Sequence, residues 1–304
     1  MQTKFTLTGE TCVYLYGIVA SRSLGPQGLE DMLHGIEDAS GMFLIEAGNL
    51  ACVAVCVQSS EYRDRLREDA SNQLAWLGPR ALRHHEILRN LHEITTVVPF
   101  KFGTLCESTG EVQHILQQLQ EPFTRLLKHF EGREEWAVRV FVDESATMRH
   151  LEETNSQLIG LRVSGPDSSP GEAYFLQKRR QKLAADLVNE LIFSLGEGIE
   201  QRLVKSAVQI VRNTAAANEC DRSKVAALSA AVLLEKSRFE ALEAILEQLE
   251  SEYACYLLSA EISGPWPPYS FSTDLDRFQN SGSPGVVLRK NAVGQTELRE
   301  LTVT

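Results

Sequence analysis

The order of hydrophobic periodicities between Trp136 and Ile262 constrains this chain more than any other feature. Trp136–Val142 reads as a strand, Gly171 to about Leu203 as a long helix, and Ala207–Ala215 and Val225–Leu234 as two strands. Phe239–Leu249 follows as a helix and Tyr253–Ile262 as a final strand. That βαββαβ order is the split motif in which two helices cover one face of an antiparallel sheet, and it predicts a ferredoxin-like domain. In the long helix Leu183, Leu187, Leu191 and Leu195 form a four-residue ridge, widened by Ala184, Val188 and Ile192. One face therefore packs on the sheet, and Lys178-Arg179-Arg180 is expected at the surface. The Gly-, Pro- and Ser-rich run from Ser164 to Gly171 is then a loop inside this domain.

The N-terminal half reads as a separate α+β domain. Cys12–Ala20 is rich in β-branched and aromatic residues and predicts a strand. A Gly- and Pro-containing loop from Ser21 to about Gly28 leads to a short helical stretch around Leu29–Ile36. Phe43–Ala47 and Leu50–Val57 flank Gly48-Asn49, two residues that tolerate positive φ, and so predict a hairpin. Leu66–Leu77 and Ala81–Ile94 predict two helices broken at Gly78-Pro79, and Glu111–Phe130 predicts a single helix. The expected organisation is an α+β chain of two domains, 1–132 and 133–272, followed by an extension, 273–304. In that extension Val286–Arg289 and Leu298–Val303 could pair as a hairpin.

Two segments stand out by residue type. In Gly264-Pro265-Trp266-Pro267-Pro268-Tyr269-Ser270-Phe271, Pro265, Pro267 and Pro268 fix φ and remove donors, which predicts a stiff polyproline-like rod that neither continues a sheet nor starts a helix. Its rings, Trp266, Tyr269 and Phe271, serve either as a lid over the adjacent core or as a preformed docking surface. In Val97-Val98-Pro99-Phe100-Lys101-Phe102-Gly103-Thr104, Pro99 should interrupt a ladder. Gly103 should allow a bend that sets Phe100 and Phe102 at a junction between elements.

Together with Val13-Tyr14-Leu15-Tyr16-Gly17-Ile18-Val19, these segments resemble the gas vesicle protein F/L family. The resemblance continues through Trp136–Val140, Tyr174-Phe175-Leu176 and Ala230–Leu234, in the family's order, and covers the chain from about Cys12 to Phe271. It implies a non-enzymatic accessory protein of gas vesicle assembly, without a cofactor. Its partners would be the hydrophobic major shell protein and other vesicle accessory proteins. Trp266, Tyr269 and Phe271 are then candidate contacts, with Phe100 and Phe102 second.

Composition agrees with a soluble protein, at 43% hydrophobic and 23% charged residues. A formal net charge of -11 argues against a nucleic-acid partner or an anionic membrane lipid. Cys12–Ala20 is too short to span a bilayer, and no signal peptide precedes it, so a cytoplasmic or vesicle location is expected. The six cysteines lack zinc-ribbon spacing, and Cys52 and Cys56 share one face of a strand, which suits buried thiols better than a metal site.

Catalytic patterns are weak. His85 and His92 in His84-His85-Glu86 and His92-Glu93 are seven residues apart, not the four of a helical zinc motif. Gly25-Pro26-Gln27-Gly28 lacks the lysine and hydroxyl of a phosphate loop. The rival reading is a small-molecule sensor or enzyme using a cleft between domains, which requires converging polar groups that the sequence does not reveal.

Overall fold

A strand with eight consecutive buried residues, β1 (Thr11–Ala20), carries the first sheet of the computed structural model. The structure describes residues 11–24, 28–29, 41–62, 74–161, 170–213, 223–272, 286–290 and 296–300. Burial on both faces explains why β1 reads as a continuous apolar run and not as an alternation. β2 (Met42–Ala47) and β3 (Leu50–Gln58) form the expected hairpin, with Ala47 opposite Leu50 and Gly48 at φ 63° in the two-residue connection. β3 lies antiparallel beside β1. On the other side of β1 come two short pieces, β4 (Val98–Pro99) and β5 (Leu105–Cys106).

The β1–β3 register slips once. Leu15 faces Ala54 and Gly17 faces Val53, so Tyr16 is the extra residue of a bulge. The bulge resets the alternation and lets Tyr14 and Tyr16 pack in one cluster with Val19, Ala51 and Val53. Helix α1 (Leu74–Ile94) covers this cluster with Ile87, Leu88 and Leu91. Leu88 of this helix and Val97 just beyond it come so close that a Cβ on Gly17 would stand 3.0 Å from Leu88 Cδ2 and 2.7 Å from Val97 Cγ2.

Two expectations for this half are corrected. α1 runs unbroken through Gly78-Pro79. Pro79 removes one helical hydrogen bond, a cost of about 3 kcal/mol. Fully burying Ile87, Leu88 and Leu91, at about 1.5–3 kcal/mol each, outweighs it. The part of the expected helices over 66–73, like most of 29–36, lies outside the described residues. The stretch 111–130 is two helices, α2 (Thr109–Gln118) and α3 (Gln120–Phe130), parted at Leu119 with φ -102° and ψ 22°. Pro122, which lacks an N–H, falls in the first turn of α3, where that donor would be unpaired anyway. α2 starts on a Ser108 cap whose Oγ accepts from Glu111 N at 3.2 Å.

The chain divides into two compact units, 1–133 with 266–304, and 134–265. This differs from the expected boundaries, because 266–272 returns to the first unit. The second unit opens with β6 (Arg133–Asp143). Two helices follow for which the sequence reading assigned nothing, α4 (Glu144–Thr154) and α5 (Ser156–Gly160). Asp143 and Asn155 cap them, accepting from Ala146 N at 2.7 Å and Gln157 N at 3.0 Å. The 35-residue helix α6 (Pro170–Val204), β7 (Gln209–Arg212), β8 (Lys224–Glu235), helix α7 (Phe239–Glu252) and β9 (Ser259–Trp266) complete the unit.

The sheet order is β7-β8-β6-β9. Val138, Val140 and Val142 of β6 meet Val232 and Leu234 of β8, with Ile199 and Leu203 of α6 and Leu246 and Leu249 of α7 packed against them. Gly196 allows the close approach of α6, since a Cβ there would run into the Ala227 carbonyl oxygen of β8. Arg202 of α6 binds Glu252 of α7 with two hydrogen bonds, 2.6 and 2.8 Å.

The last strand does not begin at Tyr253. α7 continues to Glu252, a 3-10 turn covers Ala254–Tyr256, and Leu257 reverses the chain at φ 48°. β9 then runs through Pro265 to Trp266, which overturns the expected rod. β9 is an edge strand, where a missing N–H breaks no interior ladder. Pro267 and Pro268 lead into a single helical turn, α8 (Tyr269–Ser272), closed by Ser272 N donating to Pro268 O at 3.1 Å. Beyond it, β10 (Val286–Lys290) pairs antiparallel with β11 (Thr296–Glu300), two residues out of step with the expected second strand.

Candidate functional site

Two adjacent histidines on α1 bring together the two unusual segments. Neighbouring residues on a helix point about 100° apart, so His84 and His85 serve different neighbours. His84 holds the Pro99–Gly103 segment. Its Nε2–H donates to the Phe100 carbonyl at 3.1 Å, which leaves Nδ1 to accept from the Tyr14 hydroxyl at 2.8 Å. The Tyr14 oxygen in turn accepts from Gly103 N at 3.2 Å.

Pro99 pairs with Gly17 as the last residue of β4, and Phe100 N still donates to Tyr16 O at 2.8 Å. The chain then leaves the sheet in a turn closed by Thr104 N on Lys101 O at 3.2 Å. Gly103 has φ 84°, the value a type II turn needs at its third residue. Pairing with β1 resumes where Leu15 N donates to Thr104 O at 3.0 Å, ahead of β5. The turn sends the two phenylalanines to different neighbours. Phe100 lies edge-on to Phe123 at 6.4 Å, and Phe102 to Tyr14 at 6.2 Å and His84 at 5.8 Å.

His85 holds the other segment. The Trp266 ring lies 4.8 Å from the His85 ring, and the Tyr269 hydroxyl is 3.3 Å from its Nδ1. Trp266 and Tyr269 are half-buried, whereas Phe271 is only 2% exposed and belongs to the packed interior. Pro265 is exposed; Pro267 and Pro268 are buried. Phe100 and Phe102 are half-buried as well. The site is thus a partly exposed aromatic surface over a hydrogen-bonded floor.

Burial sets the electrostatics of that floor. It lowers the His84 pKa to about 4 and raises those of the tyrosines, Tyr16 to about 12, so at neutral pH all three are uncharged. Burial also pushes the Cys106 thiol up to about 12 and raises Cys52, against the depressed values that reactive thiols need. On the outer side of the cluster Arg80 lies over the Trp76 ring at 4.2 Å and pairs with Glu61 at 2.7 Å. The sequence reads His84 and His85 as solvated or partly packed helix residues and not as metal ligands, and it does not link them to either segment. Their adjacency on a helix with an apolar stripe was the available signal.

In the second unit, Met148, Glu152, Gln177, Arg180 and Gln181 help to line a cavity of about 340 Å³. Arg180 is not a free surface charge as expected, because its Nη2 pairs with Glu152 at 2.8 Å.

Among described residues no helix is long and apolar enough to cross a membrane. Residues 12–273 match the family described as gas vesicle synthesis protein GvpL/GvpF. Gas vesicle protein L of Streptomyces sp. (strain CB03234) is 23% identical over 230 residues, covering 75% of this chain and 82% of that protein. Gas vesicle protein F of the same strain is 25% identical over 259 residues, covering 85% and 98%. These relatives are named as gas vesicle proteins and not as enzymes. The crystal structure of the gas vesicle protein GvpF from Anabaena sp. PCC7120 shares the fold, with a TM-score of 0.58 at 18% identity over 86% of this chain and 96% of that one. With the match spanning both units and both aromatic segments, the chain belongs to the GvpL/GvpF family of gas vesicle synthesis proteins.

Proposed function

We propose that this protein is a non-enzymatic accessory factor of gas vesicle assembly that binds the hydrophobic major shell protein in the cytoplasm and limits its aggregation. It also contacts other vesicle accessory proteins, and a place as a minor vesicle component is compatible with that role. The family match over residues 12–273 is the observation that carries this reading. Unassembled shell subunits expose apolar surface and strand edges that invite uncontrolled pairing. The half-buried rings of Trp266, Tyr269, Phe100 and Phe102 offer apolar contacts at low entropic cost, since the floor beneath already fixes them. Phe271 supports that surface from the interior. The formal net charge of -11 keeps the bound complex dispersed. We read the second unit as a ferredoxin-like scaffold, a reading supported by the β7-β8-β6-β9 order and by α6 and α7 in its core.

Co-expression with the cognate shell protein and affinity capture test the proposal. The shell protein should be recovered with the parent. Trp266→Ala and Phe102→Ala should together lower recovery at least tenfold while the protein remains folded, as loss of hot-spot aromatics does. Recovery of neither shell protein nor accessory proteins, in cells that form vesicles, would overturn it.

A further inference from the structure

The first turns of α6 present a face that no described residue of the second unit covers. Tyr174 is 63% and Phe175 68% exposed, and Lys178, Arg179 and Lys182 beside them are exposed too. At 100° per residue these five side chains fall within an arc of about 140°. Ala173, Leu176, Arg180 and Ala184 occupy the opposite arc and are less exposed, and α4 packs against α6. Lys178 Nζ stands 5.9 Å from the Tyr174 ring centroid. Among the described residues Lys178, Arg179 and Lys182 have no carboxylate partner. Three unpaired cations beside two large exposed rings are unusual in a chain of net charge -11.

The complementary surface is on α7 of the same unit. Leu242, Leu246 and Leu249 face the core, while Glu240, Glu243, Ala244 and Glu247 are exposed on the outer side. The three glutamates have no cation partner among the described residues. Glu240 to Glu247 spans seven residues, as does Phe175 to Lys182, about 10.5 Å along a helix in each case. Ala244 lies between the carboxylates and leaves room for a ring.

We propose that a second copy of this chain occupies the α6 face, with α7 of one copy lying on Tyr174, Phe175, Lys178, Arg179 and Lys182 of the other. The two surfaces differ, so the contact is heterologous, or occurs twice about a two-fold axis. A single contact between two helices is smaller than a standard interface, so association is weak, concentration-dependent and weakened by salt.

Sedimentation equilibrium of the full chain tests this. In low salt the weight-average mass should rise above the monomer value with concentration, and 1 M NaCl should reverse the rise. A basic-face variant (Lys178→Glu, Arg179→Glu, Lys182→Glu) and an acidic-face variant (Glu240→Lys, Glu243→Lys, Glu247→Lys) should each associate at least tenfold more weakly. Phe175→Ser, which leaves the charges in place, should also weaken association. The mixture of the two charge variants should associate through the swapped charges, a gain that misfolding of either could not produce. A monomeric parent at several hundred micromolar in low salt overturns the proposal, as does parent-like association of both charge variants. Parent that stays monomeric but binds single-stranded RNA or phosphatidylglycerol vesicles through Lys178, Arg179 and Lys182 also overturns it, in favour of an anionic partner.

Discussion

The Tyr14 hydroxyl donates to His84 Nδ1 across 2.8 Å, joining the central strand of the first sheet to α1 through two buried, uncharged groups. The same oxygen accepts from Gly103 N, and His84 Nε2 donates to Phe100 O, so one pair fixes both ends of the Phe100–Gly103 excursion. Tyr14→Phe keeps the ring but leaves Gly103 N–H and His84 Nδ1 without their partner. A loss of about 1–3 kcal/mol in urea unfolding is expected, with amide exchange at Gly103 accelerated.

The buried histidine makes stability depend on pH in a defined window. Its folded pKa of about 4 lies below the ordinary value of 6.5, so the unfolded state binds the extra proton between them. The contribution is complete above pH 6.5 and is lost as pH falls towards 4, to a total of about 3 kcal/mol. His84→Gln, which retains a donor and an acceptor, should flatten the fall between pH 6.5 and 4 in denaturant titrations. An equal slope in parent and variant would show that His84 does not carry it.

Gly103→Val places a β-branched residue at φ 84°. Destabilisation of about 1 kcal/mol or more is expected. An unchanged melting temperature would mean that the turn relaxes without the glycine.

Two glycines of α6 should respond in opposite directions. Gly196→Ala gains about 1 kcal/mol of helix propensity but drives a Cβ into the Ala227 carbonyl, and overpacking of about 1–3 kcal/mol should dominate. Nothing lies within 4 Å of a Cβ on Gly198, so Gly198→Ala should raise stability by up to about 1 kcal/mol. Thermal melts of the two variants decide the comparison.

Within the aromatic segment, Phe271→Ala should cost about 3–5 kcal/mol, as truncation of a buried ring does. Trp266→Ala should cost less, because that ring is half-buried. Equal losses in chemical denaturation would place Trp266 among the core residues and remove it from the candidate contacts.

Features set by neighbours in the chain were legible from the sequence. Gly48-Asn49 between two apolar runs marked the β2–β3 hairpin, and Gly103 marked a positive-φ bend, because both are local backbone requirements. The periodicities of β6, α6, β8 and α7 were likewise readable, since each element has one face committed to a core. The site was only half legible: its aromatic residues were evident, but not the histidines that join them. Tyr14 and His84 are 70 residues apart, and His85 and Tyr269 are 184 apart. Tertiary structure alone decided those contacts, the return of 266–272 to the first unit, the passage of α1 through Pro79 and that of β9 through Pro265. In each case the physical reason is the same. A local preference of at most a few kcal/mol gives way when burial by distant residues outweighs it, or when the element lies at an edge where a missing donor breaks no interior ladder.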